Sequence, residues 1–125
     1  MKLLLVLAGG ALGSGARYLA STWAADRFGA AFPWGTLGVN IVGCFCIGLL
    51  ATLADEAGAI GPDGRLFLVV GVLGGFTTFS SFSLDALRLT EHHEIERAAI
   101  YLLASVGVGL AAALLGIALA RALSR

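Results

Sequence analysis

Four apolar runs, each long enough to cross a bilayer, leave this chain little choice of fold. They cover residues 3–25, 34–54, 65–88 and 97–123. A helix rises about 1.5 Å per residue, so about 20 residues cross the roughly 30 Å of hydrocarbon in a bilayer. The connections, "DRFGAAFP", "DEAGAIGPDGR" and "RLTEHHEIER", are too short to hold a soluble domain or an enzyme-sized head. Composition agrees, with 58% hydrophobic and 13% charged residues, against about 45–50% and about 25% in soluble domains. The chain therefore reads as an all-α integral membrane protein, one transmembrane domain over residues 1–125 whose first partner is the lipid bilayer. A net charge of zero offers no basic surface to nucleic acid.

Several short patterns carry less than they suggest. "MKLLLVLAGGALGSGA" has the charge and apolar core of a signal peptide, yet apolar character resumes at Tyr18 and continues past Trp23, so an uncleaved first span is expected. A dinucleotide fingerprint fails, because the third glycine position after Gly13 and Gly15 is Tyr18 and no strand precedes it. Gly9 and Gly13 are instead four apart, a surface for close approach of another helix. Cys44 and Cys46 are two apart on a helix and point away from each other, which makes them packing residues rather than a disulfide. His92 and His93 fall in a polar loop without metal-ligand spacing. Trp23, Phe28, Phe32 and Trp34 cluster at one end of the spans as an interfacial belt.

Orientation is nearly unspecified. Four crossings return the C-terminus to the side of the N-terminus, which then holds Lys2, Arg65, Arg121 and Arg125. The opposite side holds Arg27, Arg88 and Arg97, with Arg17 leaning toward it from within the first span. The side richer in Lys and Arg stays cytoplasmic, and here the two sides almost balance. Either a weak signal is decided by something else, or the chain inserts both ways and pairs as an antiparallel homodimer.

Polar groups inside hydrocarbon are costly and mark function by default. Thr36 and Asn40 share one face of the second span; an amide there either glues helices together or offers N–H donors to a ligand. In the third span, "GGFTTFSSFS" puts Gly74 and Gly75 just before Thr77 and Thr78. Glycine loosens the backbone and threonine competes for its hydrogen bonds, which predicts a helix broken near its middle. Carbonyls freed by a break cannot face lipid; protein or a bound ion must satisfy them. Phe79 and Phe82 follow on one face, with Ser80 and Ser83 on the next. The rings are either core packing or a lining whose electropositive edges suit a small anion. Asp85 lies toward the end of this span, at a mouth or in headgroup water. Tyr101 and Ser105 share a face of the fourth span, and Tyr101 is an interfacial anchor or a pathway residue. Further on, Gly109/Ala113 and Ala112/Gly116/Ala120 form small-xxx-small rows for close packing.

Together these residues resemble one family, the small bacterial fluoride channels of the CrcB/Fluc family. "GGALGSGARY" (9–18), "PWGTLGVNIVGC" (33–44) and "GVLGGFTTFSSFSLD" (71–85) resemble its first-, second- and third-helix motifs, and the likeness covers almost the whole chain. The resemblance implies a passive, non-enzymatic channel in the bacterial inner membrane that exports cytoplasmic fluoride and relieves its toxicity. It implies an antiparallel dual-topology homodimer with two pores. Asn40 would donate hydrogen bonds to fluoride and Phe79 and Phe82 would turn ring edges to it. Thr36, Ser80 and Ser81 would fall on a polar track, with Tyr101 and Ser105 at fourth-helix pore positions. Arg17 and Asp85 would lie at the vestibules. The carbonyls of Gly74 and Thr77 from both subunits would hold a structural sodium ion on the dimer axis. The chain departs from the family pattern at Asp85, where Glu is common, at Ser81, where Thr is common, and at Gly109, where a small polar residue is expected.

The alternative is a small four-helix coupled exporter of the multidrug-resistance type. Drug–proton exchange needs an ionisable acid deep in a span, and the first span carries Arg17 and no acid before Asp26. A purely structural bundle leaves the glycine pair and the ring spacing without a purpose.

Overall fold

The computed structural model describes residues 1–125 and is all helical, without a strand. Four helical spans are long and apolar enough to cross a membrane: Lys2–Phe28, Trp34–Asp55, Pro62–Glu91 and Ile95–Leu123. Each contains one of the four apolar runs. Turns close the gaps between them, with positive φ at Gly29 and Gly58 and at His93 (φ 58°), a residue type enriched in the left-handed region.

The first, second and fourth spans are continuous; the third is not. It opens with Pro62 in the first turn of a short helix, Pro62–Arg65, where its missing N–H costs nothing. A π-helix follows over Leu66–Leu73, then a single α turn, Gly74–Phe76. Thr77 (φ −86°, ψ 155°) and Thr78 (φ −151°, ψ 123°) are extended, and an α-helix resumes over Phe79–Glu91. The broken third helix is therefore present, and the break falls on the threonine pair. Gly74 keeps helical angles (φ −61°, ψ −37°).

Small residues decide which spans meet. A Cβ at Gly9 or Gly13 would collide with the backbone of the third span, at the carbonyls of Phe67 and Val72. The first span thus presses its glycines onto the wider i→i+5 turns of the π segment. The second and fourth spans pair the same way, with Gly48 against Ala113 and Gly116 against Phe45 and Leu49. Gly109, Ala112, Gly116 and Ala120 are buried along that seam. One buried cluster lies at the far end, formed by Leu37, Phe82, Ala86, Leu89, Ala98 and Tyr101. Only 20 of 125 residues are buried. The outward residues, Leu3, Leu7, Leu12, Leu103, Leu110 and Leu114 among them, are apolar, as hydrocarbon solvation requires.

Ion pairs cap the end where both termini lie. Arg65 grips Asp55 through two hydrogen bonds of 2.8 and 3.2 Å, and Arg121 grips Glu56 through two of 2.9 and 2.8 Å. The second span is thereby tied to the third and the fourth. In the loop, the hydrogen bonds from Arg121 hold the Glu56 carboxyl below the usual carboxylate range.

Candidate functional site

The break poses an accounting problem, because every backbone polar group in hydrocarbon needs a partner. Thr77 turns back, and both its N–H (3.0 Å) and its hydroxyl (2.9 Å) donate to the Leu73 carbonyl. The Thr78 hydroxyl accepts from the Ser81 N–H at 3.1 Å and so caps the second half-helix. Asn40 brackets Thr78 from the second span. Its Oδ1 accepts from the Thr78 N–H at 2.9 Å, and its Nδ2 donates to the Thr78 carbonyl at 3.0 Å. The amide thus pairs with an extended residue as a neighbouring strand would. Arg17 Nε donates to the Gly75 carbonyl at 3.0 Å. No backbone N–H reaches the carbonyl of Thr77.

Around this bracket lies a cleft of about 340 Å³ lined by Asn40, Gly43, Cys44, Thr77, Thr78, Phe79, Phe82 and Ser105, with Leu73, Ile47 and Val106. It contains no carboxylate and no basic side chain. The Ser105 hydroxyl is buried there and has no hydrogen-bond partner. The two rings differ: Phe82 is buried (9% exposed), whereas Phe79 is 79% exposed. Their centroids are 5.7 Å apart at an interplanar angle of 49°.

A second, smaller cleft of about 240 Å³ opens toward the loops and is lined by Thr36, Asp85 and Arg88 among others. Thr36 is one turn before Asn40, and Asp85 one turn past Phe82. Between the two levels sits Tyr101, fully buried, its ring 5.2 Å from Phe82 and 5.6 Å from Phe32. Its hydroxyl donates to Asp85 Oδ2 at 3.3 Å.

The structure therefore brings Asn40, Phe79, Phe82 and Ser105 to one cleft and Thr36 and Asp85 to the next, with Tyr101 between them. Ser80 and Ser81 line neither cleft. Ser80 is exposed and shares a 3.2 Å hydrogen bond with the Thr78 hydroxyl. Ser81 meets that same hydroxyl through its backbone. Arg17 is half-buried against the break, away from both clefts. Sequence reasoning missed two things. Cys44 lines the main cleft, and its spacing of four from Asn40 already put both on one helix face. Thr78 is the residue Asn40 holds, a pairing across 38 positions that no local pattern signals.

The family described as CrcB-like protein, Camphor Resistance (CrcB), matches residues 4–117. A Rhizobium meliloti (strain 1021) protein named "Fluoride-specific ion channel FluC" is 52% identical over 121 residues, 97% of each chain. Proteins of the same name from Agrobacterium fabrum and Anaeromyxobacter dehalogenans are 53% and 54% identical. The first spans 97% of each chain, the second 90% of this chain and 89% of its own. With a break bracketed by Asn40, four membrane-crossing spans and relatives matched nearly end to end, the chain belongs to the CrcB-like family.

Proposed function

We propose that this chain is a passive fluoride-selective channel, and that it crosses the bacterial inner membrane four times to release cytoplasmic fluoride. The observation that carries this reading is the bracket at the break. Asn40 spends its carbonyl and one N–H on Thr78, and an amide has two N–H groups. The second N–H is a fixed donor at the wall of a cleft with no carboxylate and no basic side chain. Fluoride is small and strongly hydrated, so passage needs donors that replace water without a full charge that would trap it. Asn40, the Ser105 hydroxyl and the electropositive edges of Phe79 and Phe82 meet that need. Thr36, Ser80, Ser81 and Tyr101 extend the polar lining, and Asp85 stands at the mouth. Three relatives carry the name of a fluoride-specific ion channel.

The working unit is an antiparallel homodimer. Phe79 stands out from the protomer, and a second copy that covers it completes a wall. A structural sodium ion fits the same arrangement. The carbonyl of Thr77 has no backbone N–H partner, and a Cβ at Gly74 would meet nothing within 4 Å. Carbonyls freed at a helix break are a recurring sodium site. Two copies related about an axis through the break would supply four oxygens. The coupled-exporter reading finds no support, since the main cleft has no carboxylate to carry a proton.

The test is efflux from liposomes loaded with fluoride or chloride. Fluoride should leave at a rate independent of any pH gradient while chloride stays. Retention of fluoride, equal leakage of chloride, or flux that requires a proton gradient would each overturn the reading.

A further inference from the structure

Arg17 sits in the middle of the first span, where a charge is expensive. It takes part in none of the chain's ion pairs. Its one hydrogen bond within the protein goes to a backbone carbonyl, that of Gly75. An unbroken α-helix would give that carbonyl the N–H of Phe79. The extended angles at Thr77 and Thr78 remove that donor. Gly10, Ser14 and Arg17 lie on one face of the first span. Gly75 rests against that face so closely that a Cβ there would come within 2.5 Å of the Gly10 carbonyl oxygen and 3.0 Å of Ser14 Oγ. The absent side chain brings the Gly75 carbonyl within reach of the guanidinium.

From this we infer that Arg17 is a positioning residue. Its Nε–H replaces the N–H lost at the break and holds the Gly75 carbonyl, so that the break stays open at Thr77–Thr78. Two clamps then act from opposite sides, Arg17 from the first span on Gly75 and Asn40 from the second span on Thr78. Between them lie Phe76 and Thr77, and no backbone N–H reaches the Thr77 carbonyl. What matters at position 17 in this role is a donor at the right atom, and charge is secondary.

Three variants separate donor from charge. In Arg17→Gln the Nε2 occupies the same place in the side chain as arginine Nε, bonded to Cδ, so the donor stays and the charge goes. In Arg17→Lys the charge stays, but a methylene sits where Nε was. Arg17→Met has neither. In proteoliposomes Arg17→Gln should keep fluoride flux within about threefold of wild type. Arg17→Lys and Arg17→Met should lose about tenfold or more, the usual weight of a charge-assisted hydrogen bond. Hydrogen exchange at the Thr77 and Thr78 amides should rank the proteins in the same order, with protection kept only in Arg17→Gln. A protected, conducting Arg17→Lys beside a dead Arg17→Gln would assign the residue to charge and overturn the clamp. Wild-type flux and protection in all three would overturn it as well. Only the flux readout rests on the channel reading. If wild type itself carries no fluoride, that reading fails, and the exchange ranking still judges the clamp. Should no variant fold, the wild type decides. A slowly exchanging Arg17 Nε–H, coupled across the hydrogen bond to a labelled Gly75 carbonyl, supports the clamp, and a freely exchanging one sinks it.

Discussion

Asn40 does two jobs with one side chain, and they can be separated by substitution. Asn40→Leu is close in size but removes the acceptor for the Thr78 N–H and the donor to its carbonyl. Each group left unpaired away from water costs about 1–3 kcal/mol, so the break itself is expected to loosen. The melting temperature in detergent should fall and fluoride flux should vanish. Asn40→Asp keeps an oxygen for the Thr78 N–H and loses both amide donors, adding a negative charge beside the proposed path of an anion. It should retain more of the thermal stability than Asn40→Leu and still carry no fluoride. A fluoride electrode on proteoliposomes, read beside a melting curve, checks both. An Asn40→Asp protein that conducts would remove Asn40 from the pathway. The residue types at this site were legible from the sequence: an amide, two rings and hydroxyls in apolar spans announce themselves. What each one touches was not. Asn40 could be read as glue or as ligand donor, and the structure shows the gluing directly, with one N–H to spare.

Packing between helices was half legible. The spacing of Gly9 and Gly13 announced a close approach but not its partner, which is the backbone of a π-helix in the third span. That π winding left no trace in a run as uniformly apolar as "LFLVVGVL". The glycine and threonine pairs mark a break within Gly74–Thr78, and it falls on the threonines, because glycine permits a distortion without directing one. The direction comes from Asn40 and Arg17, on other helices. A contrast within the first span tests the packing. Gly9→Ala would drive a methyl into the Phe67 carbonyl, backbone that cannot rotate away, and overpacking of this kind costs about 1–3 kcal/mol. Gly15→Ala meets nothing within 4 Å and gains about 1 kcal/mol of helix propensity. The first should lower the melting temperature and the second leave it unchanged or raise it; the reverse order would contradict the glycine contact. At the helix ends, the Glu56 carboxyl titrates below its ordinary value because Arg121 bonds its charged form. Its contribution is therefore complete above the unfolded carboxylate pKa of about 4.3 and is lost as pH falls through the lower folded value. The pair is exposed, so the effect is small. Glu56→Gln should melt slightly below wild type at pH 7, and the gap should close on acidification toward pH 3.

For the assembled protein, the near balance of Lys and Arg is the feature with the largest consequence. Insertion machinery reads Lys and Arg and largely ignores Asp and Glu. The pairing of Arg65 with Asp55 and of Arg121 with Glu56 therefore stabilises the folded protein without informing its orientation. A chain with four such residues on one side and three on the other is expected to insert both ways. If the working unit is antiparallel, balance is a requirement and can be broken on purpose. Ala57→Lys with Ala59→Lys adds two charges to the loop between the second and third spans. Glu91→Lys with Glu96→Lys adds two at the opposite end; all four positions are exposed and outside both clefts. Each biased protein expressed alone should adopt mainly one orientation, seen as one-sided labelling of a loop cysteine in a Cys44→Ser, Cys46→Ser background. Each alone should also fail to protect cells from external fluoride. Co-expression of the two should restore both orientations and resistance together. Full resistance from either biased protein alone would show that a parallel pair or a single copy conducts, and the antiparallel dimer would have to be given up.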